Sequence, residues 1–356
     1  MPRVMLSAGE SSGDSLGAGL VEALREIEGE IEFVGIAGPK MRKAGVEAVA
    51  ESESLGVMGY SEVIWSLPRI LQVFWKAKAA LQLGVDLLVV IDAPDFNIRL
   101  ARKAASLGIP VVFLGSPQVW AWRGERAEEI AHLSREVLCF FPFEPEYYHA
   151  HGGKARCIGH PLAVKIPENL EHGKGLSLLP GSRKQEVLEL TPVMVEIAQR
   201  WVNTHGSAVH IARAPGLGDE LFVPFGERVI HHSSIRSALQ KSEVALVCSG
   251  TATLEVCLYG VPQVVTYKTS GLSYRVAKRK MPLVQHIALP NLLADPFVPE
   301  FVQNFDVEDV WAALEAAKSP GAQVEGMRCV RAAVAGGAHK EAAECIVHWL
   351  ETAKAG

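Results

Sequence analysis

The chain has no C-x-x-C pair, and its six cysteines, Cys139, Cys157, Cys248, Cys257, Cys329 and Cys345, lie scattered along 356 residues. Neither a zinc cluster nor a disulfide framework is indicated, and a reducing cytoplasm fits. There is no excess of positive charge: a net charge of −5 argues against a general nucleic-acid binder. Uncharged runs such as Leu107–Trp122 contain prolines and fall short of the ~18 residues a spanning helix needs. The run Val4-Met5-Leu6 is likewise too short for a signal-peptide core. There is no internal sequence repeat and no low-complexity segment. What remains, 49% apolar and 21% charged residues, describes a globular chain with a large core, and at this length two domains rather than one.

Two stretches in the second half carry the clearest chemistry. Val244-Ala245-Leu246-Val247 is apolar without alternation, as a parallel strand covered on both faces would be. Cys248-Ser249-Gly250-Thr251-Ala252 then turns into a helix start, with Ser249 or Thr251 expected at the cap and Leu254, Val256, Cys257 and Leu258 in the helix. Such a helix start points free N–H groups and a positive dipole end at one spot, which suits phosphate. Glu255, about one turn further in, can accept from sugar hydroxyls. The plain alternative is an ordinary capped turn. The second stretch, Leu176–Leu179 followed by Pro180-Gly181-Ser182-Arg183, is again a strand into a small turn, and the Arg183 guanidinium can fork onto a diphosphate. Both turns fall at strand carboxyl ends, the edge where open α/β sheets bind ligands.

Along the chain, Arg3–Ala8 reads as a strand, Gly9-Glu10-Ser11-Ser12-Gly13-Asp14 as a turn, and the following segment as a helix with Leu16, Leu20, Val21, Leu24 and Ile27 on one face. That turn is neither a G-x-G-x-x-G fingerprint nor a P-loop. Glu32–Ala37 is a second strand. Between Met58 and Trp75 the residues Val63, Ile64, Trp65, Leu67, Ile70, Leu71, Phe74 and Trp75 crowd together around Pro68, bordered by Arg69, Lys76 and Lys78. This suits either a membrane interface or a core helix. Leu87–Ile91 is a buried strand that delivers Asp92, placed to act as a base at the ligand edge; capping a helix from Ile98 is the alternative for Asp92 and Asp95. Pro110–Leu114 precedes Ser116–Arg123, whose Trp120, Trp122 and Arg123 suit ligand stacking or a core wedge. Val137–Phe141 and Cys157-Ile158 close the first half. A turn-rich linker from Gly159 to Gly175 follows, with His160 in a packing role.

The second half repeats the alternation with strands at Leu176–Leu179, Ala208–Ala212, Arg228–Ile230, Val244–Val247 and Gln263–Thr266. The expected fold is α/β, two Rossmann-like doubly wound parallel-sheet domains facing a cleft. Their bounds are 1–163 and 164–335, and 336–356 forms a helix that packs back on the first domain or on a partner chain. The basic run Tyr274–Lys280 suits a solvated face or an anionic lipid. Asn291 is a hydrogen-bonding loop residue.

Taken together, these residues resemble the lipid-A-disaccharide synthases, glycosyltransferases of the GT-B type. The resemblance rests on Gly9–Asp14, Gly35–Pro39, Val57-Met58-Gly59, Ile91–Asn97, Ser116–Arg123, Ile158–Pro161, Leu179–Arg183, Ser249–Glu255 and Leu289–Leu293, nearly end to end and in order. It implies a UDP-2,3-diacylglucosamine donor, a 2,3-diacylglucosamine 1-phosphate acceptor, and a β-1,6-linked lipid A disaccharide 1-phosphate and UDP as products. The chain would work at the cytoplasmic face of the inner membrane, peripherally on an anionic surface, without cofactor, and as a monomer or homodimer. Catalytic positions would be Asp92 and Ser12; donor positions would be Gly181, Ser182, Arg183, Ser249, Gly250, Thr251, Ala252, Glu255 (on the ribose) and Asn291. The membrane and acyl-chain surface would be Val63, Ile64, Trp65, Leu67, Ile70, Leu71, Phe74 and Trp75. No Asp-x-Asp pair occurs, which argues for leaving-group stabilisation by Arg183 and the helix start rather than by a metal. A UDP-sugar 2-epimerase-like enzyme would need the same uridine site but no apolar acceptor surface, and a non-catalytic nucleotide-binding membrane adaptor would not need Asp92.

Overall fold

In the computed structural model, residues 1–55, 60–117, 119, 124–166, 171–269, 285–319, 321 and 323–355 are described, with side chains omitted at 60–66, 165 and 353–355. Val57-Met58-Gly59, Trp120–Arg123, Tyr274–Lys280 and the side chains of Val63, Ile64 and Trp65 therefore lie outside the described residues.

Among the described residues the apolar runs form two all-parallel sheets. The first holds β1 (Arg3–Ser7), β2 (Glu32–Ala37), β3 (Glu47–Glu51), β4 (Leu87–Val90), β5 (Val111–Leu114), β6 (Glu136–Cys139) and β7 (Ala155–Cys157), in the order β3-β2-β1-β4-β5-β6-β7. The second holds β8 (Gly175–Leu179), β9 (Val209–Ala212), β10 (Val229–His232), β11 (Ser242–Cys248), β12 (Gln263–Tyr267) and β13 (Glu300–Val302), in the order β10-β9-β8-β11-β12-β13. Both are doubly wound. The strand order reverses between β1 and β4 in one sheet and between β8 and β11 in the other.

Each central strand is buried on both faces, which is why it reads as an unbroken apolar run. Val4 and Leu6 of β1 pack with Leu20, Val21 and Leu24 on one side of the first sheet, while Met5 packs with Val73, Ala77 and Ile98 on the other. Each fully buried Leu or Val contributes roughly 1.5–3 kcal/mol. The edge strands β3 and β13 were not expected from the sequence, because Glu-Ala-Val-Ala-Glu and Glu-Phe-Val are short and partly exposed.

The described residues divide into two compact units, Met1–Pro161 with Gly336–Gly356, and Leu162–Ala335. The tail helix Ala338–Ala355 sets Ala342, Ile346 and Leu350 into the same core as Leu20 and Leu24 of the helix Ser11–Ile27. The helix Tyr60–Leu81 runs through Pro68 without ending there. It turns Val73, Ala77, Ala80 and Leu81 inward. No described helix is long and apolar enough to cross a membrane.

Candidate active site

In the first unit the residues singled out by sequence meet at the point where strand order reverses. Gly9–Gly13 follows β1 and Asp92 follows the adjacent β4, so both leave the sheet at its carboxyl edge. The Asp92 carboxylate crosses to the neighbouring turn, where Oδ1 accepts from the Gly9 amide at 2.5 Å and Oδ2 from the Glu10 amide at 2.9 Å. It comes so close that a Cβ on Gly13 would sit 2.0 Å from Oδ2, and one on Gly9 would sit 2.6 Å from the Ala93 Cβ. Glycine at position 13 leaves room for the carboxylate, and glycine at position 9 leaves room for the Ala93 turn that carries it. Neither Asp92 nor Asp95 caps a helix from Ile98. The helix starts at Pro94, with Ala93 at its cap in the left-handed region at φ 44°, a conformation that costs a non-glycine residue on the order of 1–3 kcal/mol. Asp95 instead pairs with Arg126.

Burial is the largest influence on Asp92. It pushes the carboxyl up to about 6 against the opposing pull of the Gly9 and Glu10 amides, and the Glu10 charge adds to the rise. A carboxyl that changes charge near neutrality at a sheet's ligand edge is suited to accept a proton. Ser12 is exposed in the first turn of the helix Ser11–Ile27, next in sequence to Gly13, which lies against this carboxylate. His160 stacks against Phe141 and meets Phe140 edge-on, and burial holds it down at about 4.

In the second unit the two turns also flank the reversal, between β8 and β11. Gly181 follows β8 at φ 113°, close above the Glu186 side chain. Glu186 was not anticipated, although it stands three residues beyond Arg183 in a capping pattern. Its Oε2 accepts from the Ser182 and Arg183 amides, each at 3.1 Å, and its Oε1 from Arg183 Nη1 at 3.1 Å. The Arg183 side chain is nevertheless 80% exposed and presents its remaining donors to solvent.

The turn after β11 differs from expectation. Neither Ser249 nor Thr251 caps the helix Thr251–Leu258; Gly250 does, at φ 147°, with no side-chain cap. The Ser249 hydroxyl goes instead to the Ile287 carbonyl at 2.7 Å, and the buried Thr253 hydroxyl donates to the Gly250 carbonyl at 2.8 Å. The amides of Gly250, Thr251 and Ala252 have no partner among the described residues, as the free end of a helix requires. Glu255 is half-buried in the same helix, and burial raises its carboxyl. No described side chain hydrogen-bonds or ion-pairs with it, so its oxygens are available to accept from a ligand hydroxyl. Asn291 lies nearby but is buried and committed. Its Oδ1 accepts from the Phe297 and Val298 amides, and its Nδ2 donates to the Val298 carbonyl and Glu300. It shapes a cavity of about 490 Å³ lined also by His286, Phe297 and Glu300.

The apolar segment divides. Leu67, Leu71 and Trp75 project outward one turn apart, 50%, 46% and 60% exposed, and the Lys78 ammonium lies over the Trp75 ring. Phe74 instead meets Phe96 edge-on at 5.9 Å and packs on the core, while Ile70 is half-buried. Beside the outward face, Arg69, Gln72 and Lys76 line a cavity of about 340 Å³ together with Ser54 and Glu51.

A family model described as lipid-A-disaccharide synthetase matches residues 4–319. A lipid-A-disaccharide synthase of Xylella fastidiosa (strain M23) is 38% identical, over 85% of this chain and 85% of its own. Among solved structures, Acinetobacter baumannii MurG is similar with a TM-score of 0.61 at 13% identity, over 98% of this chain and 100% of its own. The S. aureus MnaA-UDP co-structure is similar with a TM-score of 0.67 at 12% identity, over 99% and 97%. These two likenesses concern the fold alone, that of the GT-B glycosyltransferases.

Proposed function

The chain belongs to the lipid-A-disaccharide synthase family, and from that premise we propose that it joins UDP-2,3-diacylglucosamine to 2,3-diacylglucosamine 1-phosphate by a single inverting displacement without a metal. One Asp92 oxygen takes the proton of the acceptor 6-hydroxyl as that oxygen attacks the donor anomeric carbon. The bond from that carbon to the diphosphate breaks with its electron pair on UDP. The departing charge is met by the Gly250, Thr251 and Ala252 amides, the helix start behind them and the Arg183 guanidinium. Glu255 accepts from the donor ribose, and Gly181, Ser182 and Ser249 shape the turns around the diphosphate. Asn291 acts from beneath, by holding the Phe297–Glu300 loop. The observation that carries the reading is the half-buried Asp92 carboxylate at a switch point, poised near neutrality.

The substrates are lipids, and no described helix crosses a membrane. The outward stripe of Leu67, Leu71 and Trp75, with Arg69 and Lys76 beside it, is suited to lie on an anionic bilayer and admit acyl chains. The inner-membrane surface and both lipid substrates are thus the partners this reading names. The deciding experiment follows UDP release from the diacylated donor with and without the lipid acceptor. Release that needs the acceptor supports a transferase; release or isomerisation of the sugar without it would point to epimerase-like chemistry.

A further inference from the structure

We propose that Asn97 and Ser7 are positioning residues for the base: a buried amide–hydroxyl pair that fixes the main chain at Asp92 and so aims its carboxylate. Ser7 ends β1 and Asp92 follows β4, neighbouring strands paired at Ser7 and Val90. The Ser7 and Asn97 side chains are fully buried, at 0% and 1% exposure. Asn97 Nδ2 donates to the Asp92 carbonyl at 2.5 Å and to the Ser7 carbonyl at 3.2 Å. The Ser7 hydroxyl donates in turn to Asn97 Oδ1 at 2.6 Å.

The need for such a tether is visible one residue on. Ala93 stands in the left-handed region at φ 44°, where only glycine is at ease, and Pro94 offers no N–H to hold the turn. The Asn97 amide reaches back from the first turn of that helix to grip the carbonyl just before the strained residue. A buried amide costs stability unless its hydrogen bonds are met. Here they converge on the peptide that sets where the Asp92 carboxylate meets Gly9 and Glu10.

The inference rests on Asp92 being the base, and the test separates the two. Turnover, kcat/KM against pH and calorimetric UDP affinity are measured for the wild type, Asp92→Asn, Asn97→Ala and Ser7→Ala. Asn97→Ala should lower kcat by roughly 10–100-fold, the usual penalty for displacing a reacting group by about an ångström, with UDP affinity unchanged. Its acid limb should move to higher pH, because a carboxylate that drifts from the Gly9 and Glu10 amides keeps its burial but loses donors that favour the charged form. Ser7→Ala should shift both in the same direction by less. A folded Asn97→Ala enzyme whose acid limb stays in the wild-type place overturns the inference, because a purely structural residue would change only the active fraction. Should Asn97→Ala fail to fold, Ser7→Ala decides alone, and wild-type turnover and pH profile there overturn it. Near-normal turnover in Asp92→Asn instead removes the base reading itself, and this inference with it.

Discussion

At the first switch point a carboxylate comes off β4 and is met at once by the amides of the turn after β1. At the second, the turn after β11 brings amides to the edge and no described group meets them. The two sheets reverse their order in the same way, so topology alone does not tell the two sites apart. The difference lies in what the local sequence places there. Glycines at positions 9 and 13 let the first turn close over Asp92. In the second unit Glu186 occupies the β8 turn, while no described group meets the helix start at Thr251 or the Glu255 carboxylate. On the proposed reading one switch point moves a proton and the other receives negative charge, and the pair teaches that a shared fold edge acquires its chemistry from a handful of turn residues.

The largest expected effect falls on the first site. Asp92→Asn should lower turnover by roughly 10²–10⁴-fold, the span of a general base, with UDP affinity little changed. In the wild type, kcat/KM should fall about tenfold per pH unit below the Asp92 value of about 6. The sign follows from the charge: the base works ionised, and its raised value means ionisation is lost as pH drops through that point. A pH-independent kcat/KM from 5 to 8 would remove Asp92 from the proton transfer.

The first unit also carries the apolar stripe of Leu67, Leu71 and Trp75. Replacing Leu67, Leu71 and Trp75 together by Ser should weaken vesicle binding by roughly 2–4 kcal/mol, taking about half of the full burial value for each, and cost little melting temperature, because these side chains project outward. Vesicle sedimentation and calorimetry check both; a large fall in melting temperature with binding intact would make the stripe structural.

At the second site, Arg183→Ala should weaken UDP binding by about 1.5–3 kcal/mol, the range for a charge-assisted hydrogen bond. Unchanged affinity would place the diphosphate elsewhere and leave the helix start without its partner. The smallest effect is expected of metal removal: activity should persist in excess EDTA, and a loss reversed by Mg²⁺ would mean that the amides and Arg183 do not carry the leaving charge alone.

Much of this could be read from the residues. The central strands, the turns at Gly9–Gly13, Gly181–Arg183 and Ser249–Thr251, and the position of Asp92 after a buried strand all follow from local pattern, because a strand covered on both faces must be apolar along its whole length and a turn at its end must supply glycine and hydroxyls. The edge strands β3 and β13 escaped because half-exposed strands need no such run. Gly250 rather than Ser249 or Thr251 stands at the helix cap, since the Ser249 hydroxyl found a carbonyl 38 residues away and the Thr253 hydroxyl took the turn.

Sequence by itself determined which residues reach the two ligand edges, because hydrophobic periodicity and turn chemistry are local. What those residues touch was decided only by the tertiary structure. The Asp92 carboxylate rests on amides 83 and 82 residues earlier, and Asn97 grips a hydroxyl 90 residues away. Such bonds depend on the order in which β1 and β4 come together, and that order is set by how the whole sheet buries its faces, not by any residue within reach along the chain.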